Sequence, residues 1–373
     1  MTDTGEPCIL YGELYTKYKS EVTSDIFSKT DIDTRKLVKS KANDVIIPCS
    51  GETAVDIATA RCVPYDNILL GGDLNIIRLY DCDGSFMSYQ LNGKRKYDLA
   101  KVAQGVSVVH LYGDHLKGVK TYNPCLEEQK KIAKLLSLLD ERIATQNKII
   151  EDLKKLKSAI VEKVFCSPNQ EYPMCRIEGF EQALSTYKMS DFSSRIATKN
   201  KDSKCSLVLT IAAQYGLVNQ ESFFNKSVAS ENLTGYYLLH KGEFAYNRSY
   251  SAGYDWGTVK RLDNYDQGVL STLYICFKIN ETIVDSDYLA YYFESTKWHR
   301  GLSDIAGEGA RNHGLLNVSI TDYFNTKHRF PVIEEQKAIA KMLNTITEKE
   351  RKATLLGECY QKQKQYLLRQ MFI

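Results

Sequence analysis

The sequence predicts an α+β chain: two mixed α/β modules separated by two long helices packed as an antiparallel coiled coil. Three observations carry that expectation. One helical segment occurs twice, because residues 124–165 and 331–372 align without a gap. Pro124-Cys125-Leu126-Glu127-Glu128-Gln129-Lys130 returns as Pro331-Val332-Ile333-Glu334-Glu335-Gln336-Lys337, and Val164-Phe165 lines up with Met371-Phe372. Within the first copy apolar residues recur at steps of three and four, the period of a helix. Ahead of each copy lies a longer, tyrosine-rich stretch in which short apolar runs alternate with turn residues, as half-buried strands do. The divisions that follow are residues 1–123 for the first module, 124–165 for the central helix, 166–330 for the second module and 331–373 for the distal helix.

In the first module Val45-Ile46-Ile47, Asn67-Ile68-Leu69-Leu70 and Leu74–Leu79 read as strands. Gly71-Gly72, Asp83-Gly84 and Asn92-Gly93 read as turns or hairpin tips. Pro124 suits the first turn of a helix, and Glu127 and Glu128 place negative charge at its N-terminus. The stripe that follows includes Ile132, Leu135, Leu136, Leu139, Ile143, Ile150 and Leu153, interrupted by Gln146 and Lys157. About 40 residues of helix span roughly 60 Å, which suggests a coiled coil. In the distal copy Ile339, Leu343 and Ile346 continue the stripe, while Gly357 replaces Ile150 and is expected to weaken or bend the helix by about 1 kcal/mol. The second module offers strands at Leu207–Ile211, Glu243–Tyr246 and Leu273–Phe277, and a short amphipathic helix at Asp287–Ser295. Lys41–Ile47 echoes Lys241–Tyr246, and the first module is the shorter, its shortfall lying at its start.

Composition narrows the class. A chain of 373 residues holds two or three domains. No apolar run reaches the length of a membrane span and the N-terminus lacks a signal-peptide pattern, so no membrane partner and a cytoplasmic location are expected. Ten cysteines without a Cys-x-x-Cys pair read as reduced thiols. A net charge of +3 is weak evidence for nucleic acid, whose binders show a more clustered bias. If the helices pack antiparallel, they hold a module at each end of a rod. Such a rod suits a long ligand with a fixed repeat, and duplex DNA has one of about 34–36 Å. The plainer alternative is a coiled-coil scaffold without sequence-specific DNA binding.

The motif Pro-x-Leu/Ile-Glu-Glu-Gln-Lys-x-Ile-Ala, opening a long helix twice after globular modules, resembles the specificity subunit of type I restriction-modification systems. The likeness covers nearly the whole chain, and Gly12–Tyr18 also looks like part of a target-recognition domain. The resemblance implies two such domains reading the halves of a split double-stranded DNA target. It implies a helical spacer, formed by Ile132, Leu136, Leu139, Ile143, Ile150, Leu153, Ile339, Leu343 and Ile346, that docks two adenine-methyltransferase (modification) subunits, and restriction subunits beyond them. S-adenosylmethionine, ATP and Mg are then expected on the partners and no cofactor or metal on this chain, which carries specificity and no catalytic residue. The short first module departs from the family pattern, where that domain is complete.

The absences agree with that division of labour. No Asn/Asp-Pro-Pro-Tyr/Phe motif of an autonomous adenine methyltransferase occurs, Asn123-Pro124-Cys125 being the nearest. No Gly-x-x-x-x-Gly-Lys-Ser/Thr phosphate loop occurs. Glu128-Gln129-Lys130 and Glu335-Gln336-Lys337 have nuclease-like spacing, but capping and solvated charge explain them better. His110, Asp114 and His115 fit a metal site or an ordinary surface loop. Reading DNA needs cations for phosphates and planar or amide groups for base edges. In the second module Asn247, Arg248, Tyr250 and Tyr254 share one loop-like stretch, which also reads as a strand turn packed with aromatics. Arg311 and Asn312 lie in a glycine-flanked segment that is a base-reading loop or a simple turn. Arg195, Lys199 and Lys201 form a basic loop for phosphates or for solvent. In the first module Lys94, Arg95 and Lys96 read as a basic hairpin tip, and Cys49–Thr53, with Arg61 nearby, is the counterpart of the second-module loop.

Overall fold

Short apolar runs bounded by turn residues make short strands, and the chain starts with a series of them. In order these are β1 (Glu6–Ile9), α1 (Glu13–Thr16), β2 (Ser28–Thr30), β3 (Val38–Lys39), β4 (Asp44–Pro48) and β5 (Ser50–Gly51). There follow α2 (Ala54–Ile57), β6 (Arg61–Val63), β7 (Leu69–Leu70), β8 (Leu74–Ile77), α3 (Gly84–Asn92), α4 (Lys96–Val102), β9 (Val109–His110) and α5 (Gly113–Leu116). The first long helix is α6 (Leu126–Val164). These elements belong to a computed structural model that describes residues 4–33, 37–226, 232–249, 253–305 and 316–372. Two compact units emerge, one of Met1–Ile150 with Lys352–Ile373, the other of Glu151–Arg351.

In the first unit β4 is central in the order β6-β4-β8, and a second sheet runs β2-β1-β7-β3. Val45, Ile46 and Ile47 are fully buried, the expected result for a β-branched run inside a sheet. Two expected turns are not hairpins. Asp83 caps α3, its carboxylate accepting from Phe86 N–H at 2.8 Å. An Asp-Gly pair suits a hairpin tip and a helix start alike, and the apolar residues after it decide the matter. Asn92-Gly93 ends α3 and turns the chain into α4; a Cβ on Gly93 would come within 2.7 Å of the Leu368 carbonyl, so glycine is required by close approach.

The second unit carries β10 (Ser185–Lys188), α7 (Met189–Phe192), β11 (Ser193–Arg195), β12 (Leu209–Ala212), β13 (Gly216–Asn219) and α8 (Gln220–Phe224). Next come β14 (Tyr237–His240), β15 (Phe244–Asn247), β16 (Thr258–Arg261), β17 (Gln267–Leu270), β18 (Ile275–Ile279) and α9 (Ser286–Tyr292). The unit continues with α10 (His299–Ser303), α11 (Ile320–Asn325) and β19 (Lys327–Phe330), then α12 (Ile333–Gln370). Its main sheet runs β11-β18-β15-β16.

The faint likeness between the modules is a likeness of fold. Strand β4 pairs antiparallel with β6 and β8, as β15 does with β16 and β18. Asn43 and Gly242 both have left-handed φ, 78° and 87°, and their N–H groups donate to Val63 and Leu262 carbonyls at 2.9 and 2.8 Å. The carboxylates of Asp44 and Glu243 accept from the N–H three residues back, Lys41 and His240. Strand β1 runs parallel to β7, and a parallel bridge joins Val208 to Val269 at the corresponding place.

The long helices meet antiparallel inside each unit. In the first, Gln146 Nε2 donates to the Ala353 carbonyl at 2.9 Å and the Arg142 guanidinium lies 5.1 Å from the Tyr360 ring centre. Leu136 and Leu368 share a core with Phe86 and Tyr89. In the second, Val161 and Val164 share a core with Ile339 and Leu343. Helix α12 is continuous through Gly357, which is buried; a Cβ there would meet Gln146 and Ile150 side chains at 3.5 and 3.6 Å. The expected weak point is therefore a place where the helices approach closely.

Candidate nucleic-acid interface

The repeated motif explains itself through Gln129 and Gln336. Gln129 is buried at the start of α6; its Nε2 donates to the Pro124 carbonyl at 2.8 Å and its Oε1 accepts from Asp83 N–H at 2.9 Å. Gln336 does the same with the Pro331 carbonyl at 2.9 Å and Asp285 N–H at 2.8 Å. Asp285 caps α9 as Asp83 caps α3. Each long helix is thus clasped to the start of a short helix in its own module. Buried amides cost free energy unless both ends are paired, and here both are. The neighbouring glutamates differ. Glu128 is exposed, whereas Glu335 is buried and accepts two hydrogen bonds from Arg176 at 2.9 and 2.7 Å. Solvated charge, the expectation for both, does not describe Glu335.

The two stripe-breaking residues also have work. Gln146 makes the crossing bond just given. Lys157 pairs with Glu350 at 3.5 Å and Glu294 at 4.0 Å. Tyr89 donates its hydroxyl to Asp140 on α6 at 2.7 Å, and Tyr291 hydrogen-bonds Thr347 on α12 at 2.9 Å, the matching positions of the repeat. The sequence analysis assigned neither tyrosine contact; the available signal was a tyrosine at matching places, Tyr89 and Tyr291, although the helix partners differ in type, Asp140 and Thr347.

Of the helix residues singled out, Leu136, Leu139, Ile339 and Leu343 are buried, and Ile132, Ile143, Ile150, Leu153 and Ile346 are half-buried. Leu135 was expected in that stripe but is 49% exposed. Leu138, Ile149, Leu156, Leu355 and Leu356 are likewise exposed, so each helix keeps apolar side chains on its outer face.

The basic loop of the second unit is organised around one ring. Arg195 Nη2 donates to the Tyr237 hydroxyl at 3.0 Å, and Lys199 Nζ sits 3.9 Å from the centre of the same ring while donating to the Gly235 carbonyl. Lys201 follows on an exposed turn. Two cations gathered by one tyrosine, one at its hydroxyl and one over its ring, with a third beside them, make a positive surface suited to phosphate.

The base-reading stretch is placed differently. Asn247 ends β15 and its Oδ1 accepts from Ser249 N–H. Arg248 donates from Nη1 to the Val318 carbonyl and from Nη2 to the Leu273 carbonyl, both at 3.2 Å. The fork expected to pair with guanine is therefore a latch between two chain segments. Tyr254 is half-buried and lines a cavity of about 320 Å³ with Lys260, Glu294, Trp298 and His299; burial pushes the His299 imidazole below its ordinary pKa. Tyr250, Arg311 and Asn312 lie outside the described residues.

The first unit corrects more. Arg61 is buried on β6, donating from Nε to the Leu14 carbonyl at 3.0 Å and from Nη2 to Tyr18 at 2.9 Å. It ties the sheet to the α1 segment and is withdrawn from phosphate. Lys94 and Arg95 lie between α3 and α4 and Lys96 opens α4, so the three are not on a hairpin. Lys94 is exposed, Arg95 lies 5.0 Å over the Tyr122 ring, and Lys96 is half-buried. Burial, with the Arg61 charge adding to it, lowers the Lys96 pKa. Nor do the two histidines form a metal centre: His110 stacks on Tyr112, Asp114 pairs with Lys117, and no group of three metal-ligating side chains occurs among the described residues. No helix among those residues is long and apolar enough to cross a membrane.

Residues 11–155 match the family described as Type I restriction modification DNA specificity domain. The chain is 24% identical over 359 residues to the type I restriction enzyme MjaVIII specificity subunit of Methanocaldococcus jannaschii, covering 90% of this chain and 79% of that protein. It is 25% identical over 250 residues to the putative MjaX specificity subunit of the same organism, covering 62% and 53% respectively. Among solved structures, the type I restriction-modification S subunit from M. genitalium superposes with a TM-score of 0.55 at 17% identity, over 99% of this chain and 92% of that one. A chain from a study of type I R-M complex assembly and conformational transition gives 0.51 at 15% identity, over 88% and 81%. Both structural likenesses concern the fold.

Proposed function

The chain belongs to the type I restriction-modification specificity-subunit family, and from that premise we propose that it reads a bipartite double-stranded DNA target and docks two adenine-methyltransferase subunits, with restriction subunits joining them. The observation that carries the proposal is the doubled clasp: Gln129 and Gln336 fasten two modules of like sheet to two helices that open on one repeated motif. A duplicated reading unit suits a target with two half-sites. Chemistry is assigned to the partners, which hold S-adenosylmethionine, ATP and Mg, and none to this chain. The exposed Leu135, Leu138, Ile149 and Leu156 on α6, with Leu355 and Leu356 on α12, are suited to bind the methyltransferases, since apolar side chains on an outer face favour a protein partner.

For DNA, the Arg195–Lys199–Lys201 surface contacts phosphate. The test is co-expression with a candidate type I adenine-methyltransferase subunit, methylation mapping, and DNA binding at several salt concentrations. Arg195→Ala with Lys199→Ala should weaken binding across sequences and flatten the slope of log affinity against log salt by about 2, leaving the methylated sequence unchanged. Equal affinity and slope in the double variant would remove these residues from the interface. Methylation without sequence preference in the parent complex would overturn the function itself.

A further inference from the structure

One layer of the second unit carries cations at one side and aromatic rings at the other. Lys199 bridges antiparallel to Tyr237, Tyr237 pairs with Leu270 between β14 and β17, and Val208, just before β12, bridges parallel to Val269. These pairings set Lys199 level with Leu209 and run both segments in the same direction. Residues 199–201 and the turn after β12 therefore leave the layer at the same end. Three strand spacings separate them, about 15 Å, well inside one turn of duplex DNA at about 34–36 Å.

That turn joins β12 to β13. Ala212 pairs with Gly216, and Tyr215 N–H donates to the Ala212 carbonyl at 3.0 Å. Gly216 has a φ of 84°, the left-handed residue that a three-residue hairpin loop needs. Tyr215, at the tip, is 67% exposed. Strand β13 leads into α8, which Asn219 caps, its Oδ1 accepting from Glu221 and Ser222 N–H at 2.9 and 3.2 Å; Gln220 N–H donates to the Val208 carbonyl at 2.9 Å. Phe223 and Phe224 on this turn are each 45% exposed. The Tyr215 and Phe223 ring centres lie 6.4 Å apart, and Phe224 stands edge-on to Phe223 at 5.0 Å. Single exposed apolar side chains are ordinary, but a contiguous cluster marks a binding surface. Between residues 213 and 226 the one carboxylate, Glu221, is offset by Lys226, so the stretch carries no net charge against a polyanion. The first unit repeats the placement on a smaller scale: β1, which runs parallel to β7, leads to Tyr11-Gly12, and Tyr11 is 39% exposed.

We infer that Tyr215 and Phe223, backed by Phe224, form an aromatic wedge that stacks on DNA bases at a step beside the phosphates held by Arg195, Lys199 and Lys201. The inference rests on the DNA reading proposed above and adds to it a contact of a different kind. Cations on phosphate give binding that falls with salt. A ring on a base face takes its energy from stacking and desolvation, and an inserted ring partly unstacks the step it enters. Fixed main chain on both sides of the cluster presents the rings without further ordering.

The test uses the full chain with a candidate methyltransferase subunit and a duplex bearing the sequence that methylation mapping yields, with 2-aminopurine replacing each adenine in turn. Emission from at least one position should rise on binding, because this base brightens when it leaves the stack. Tyr215→Ala with Phe223→Ala should abolish the rise and weaken binding at least about tenfold, by the same factor at every salt concentration. Phe223→Trp should keep both signals and Phe223→Leu should reduce them, with the thermal midpoint unchanged in each because the rings are exposed. Parent affinity and emission in the double alanine variant would overturn the wedge and leave DNA reading standing. A parent complex without sequence preference would sink that reading instead, and the salt series on an arbitrary duplex would still decide the rings. A flattened salt slope in the alanine variant would reduce the rings to supports for the cations. Loss of methyltransferase co-purification with DNA affinity intact would overturn the wedge and give the cluster to a protein partner.

Discussion

In the first unit Lys364 meets Glu21 and Asp140, each at 2.5 Å, and all three side chains are at most 12% exposed. In the second its counterpart Lys157 meets Glu350 at 3.5 Å and Glu294 at 4.0 Å, with up to 36% exposure. One position of one repeat has thus become a buried ionic triad in one unit and a loose, partly wet contact in the other. Around it the clasp of Gln129 and Gln336 is the same in both. The repeat preserves how helix and module are joined and leaves their electrostatics free to diverge. At Glu21 burial pushes the carboxyl up, Lys364 pulls it back and Asp140 pushes again, for a net rise; a carboxylate in that setting depends on its lysine.

The contrast is sharpest with Lys364→Met against Lys157→Met. The first leaves two buried carboxylates without their cation and should cost about 3–5 kcal/mol; the second should cost about 1 kcal/mol or less. Urea unfolding, with hydrogen exchange to locate each loss, measures both, and equal costs would erase the distinction. Gln129→Ala and Gln336→Ala probe the sameness instead. Each strands a buried N–H and a carbonyl, so each should destabilise its own unit by about 2–3 kcal/mol; a loss in one unit only would show that the clasp is equivalent in geometry but not in energy.

A pH difference should come next. His328, in the second unit, is fully enclosed between the Tyr292 hydroxyl at 3.0 Å and the Thr326 hydroxyl at 2.8 Å. Burial lowers its pKa to about 3. The folded value lies below the unfolded one of about 6.5, so the neutral ring contributes stability that is complete above that value and lost as pH falls toward 3. The slope is at most about 1.4 kcal/mol per pH unit. His328→Gln should flatten the acid limb for the second unit and leave the first unchanged. The smallest effect is expected from Gly357→Ala, where the new methyl finds ordinary contact distances and helix propensity should raise stability by up to about 1 kcal/mol; a fall in the first unit's melting temperature would mean that the crossing is tighter than those distances imply.

Much of this architecture was legible in the residues. The gapless repeat located both long helices, and Val45–Ile47 and Glu243–Tyr246 located the central strand of each sheet, because period and burial leave local marks. Asp83-Gly84 misled because one dipeptide serves two structures. The reading surface was legible only in part. Arg61 and Arg248 look like DNA contacts in sequence because a charge shows there and a distant carbonyl does not. Arg195 and Lys199 were identified as basic, yet nothing local foretold that Tyr237, some forty residues on, would gather them. The glutamine clasps were printed twice in the chain and still passed unread, since a polar residue beside glutamates looks like solvent-facing surface.

Gln129 and Gln336 hydrogen-bond their modules through main-chain atoms, a peptide N–H and a prolyl oxygen in each, with the Ile283 carbonyl added for Gln336. A grip confined to main chain is blind to the side chains of whatever it holds. Any body that begins a short helix with a capping residue and closes on a proline offers the same two atoms. Heads could therefore be exchanged between such scaffolds, or drift apart in sequence, with the coupling left intact.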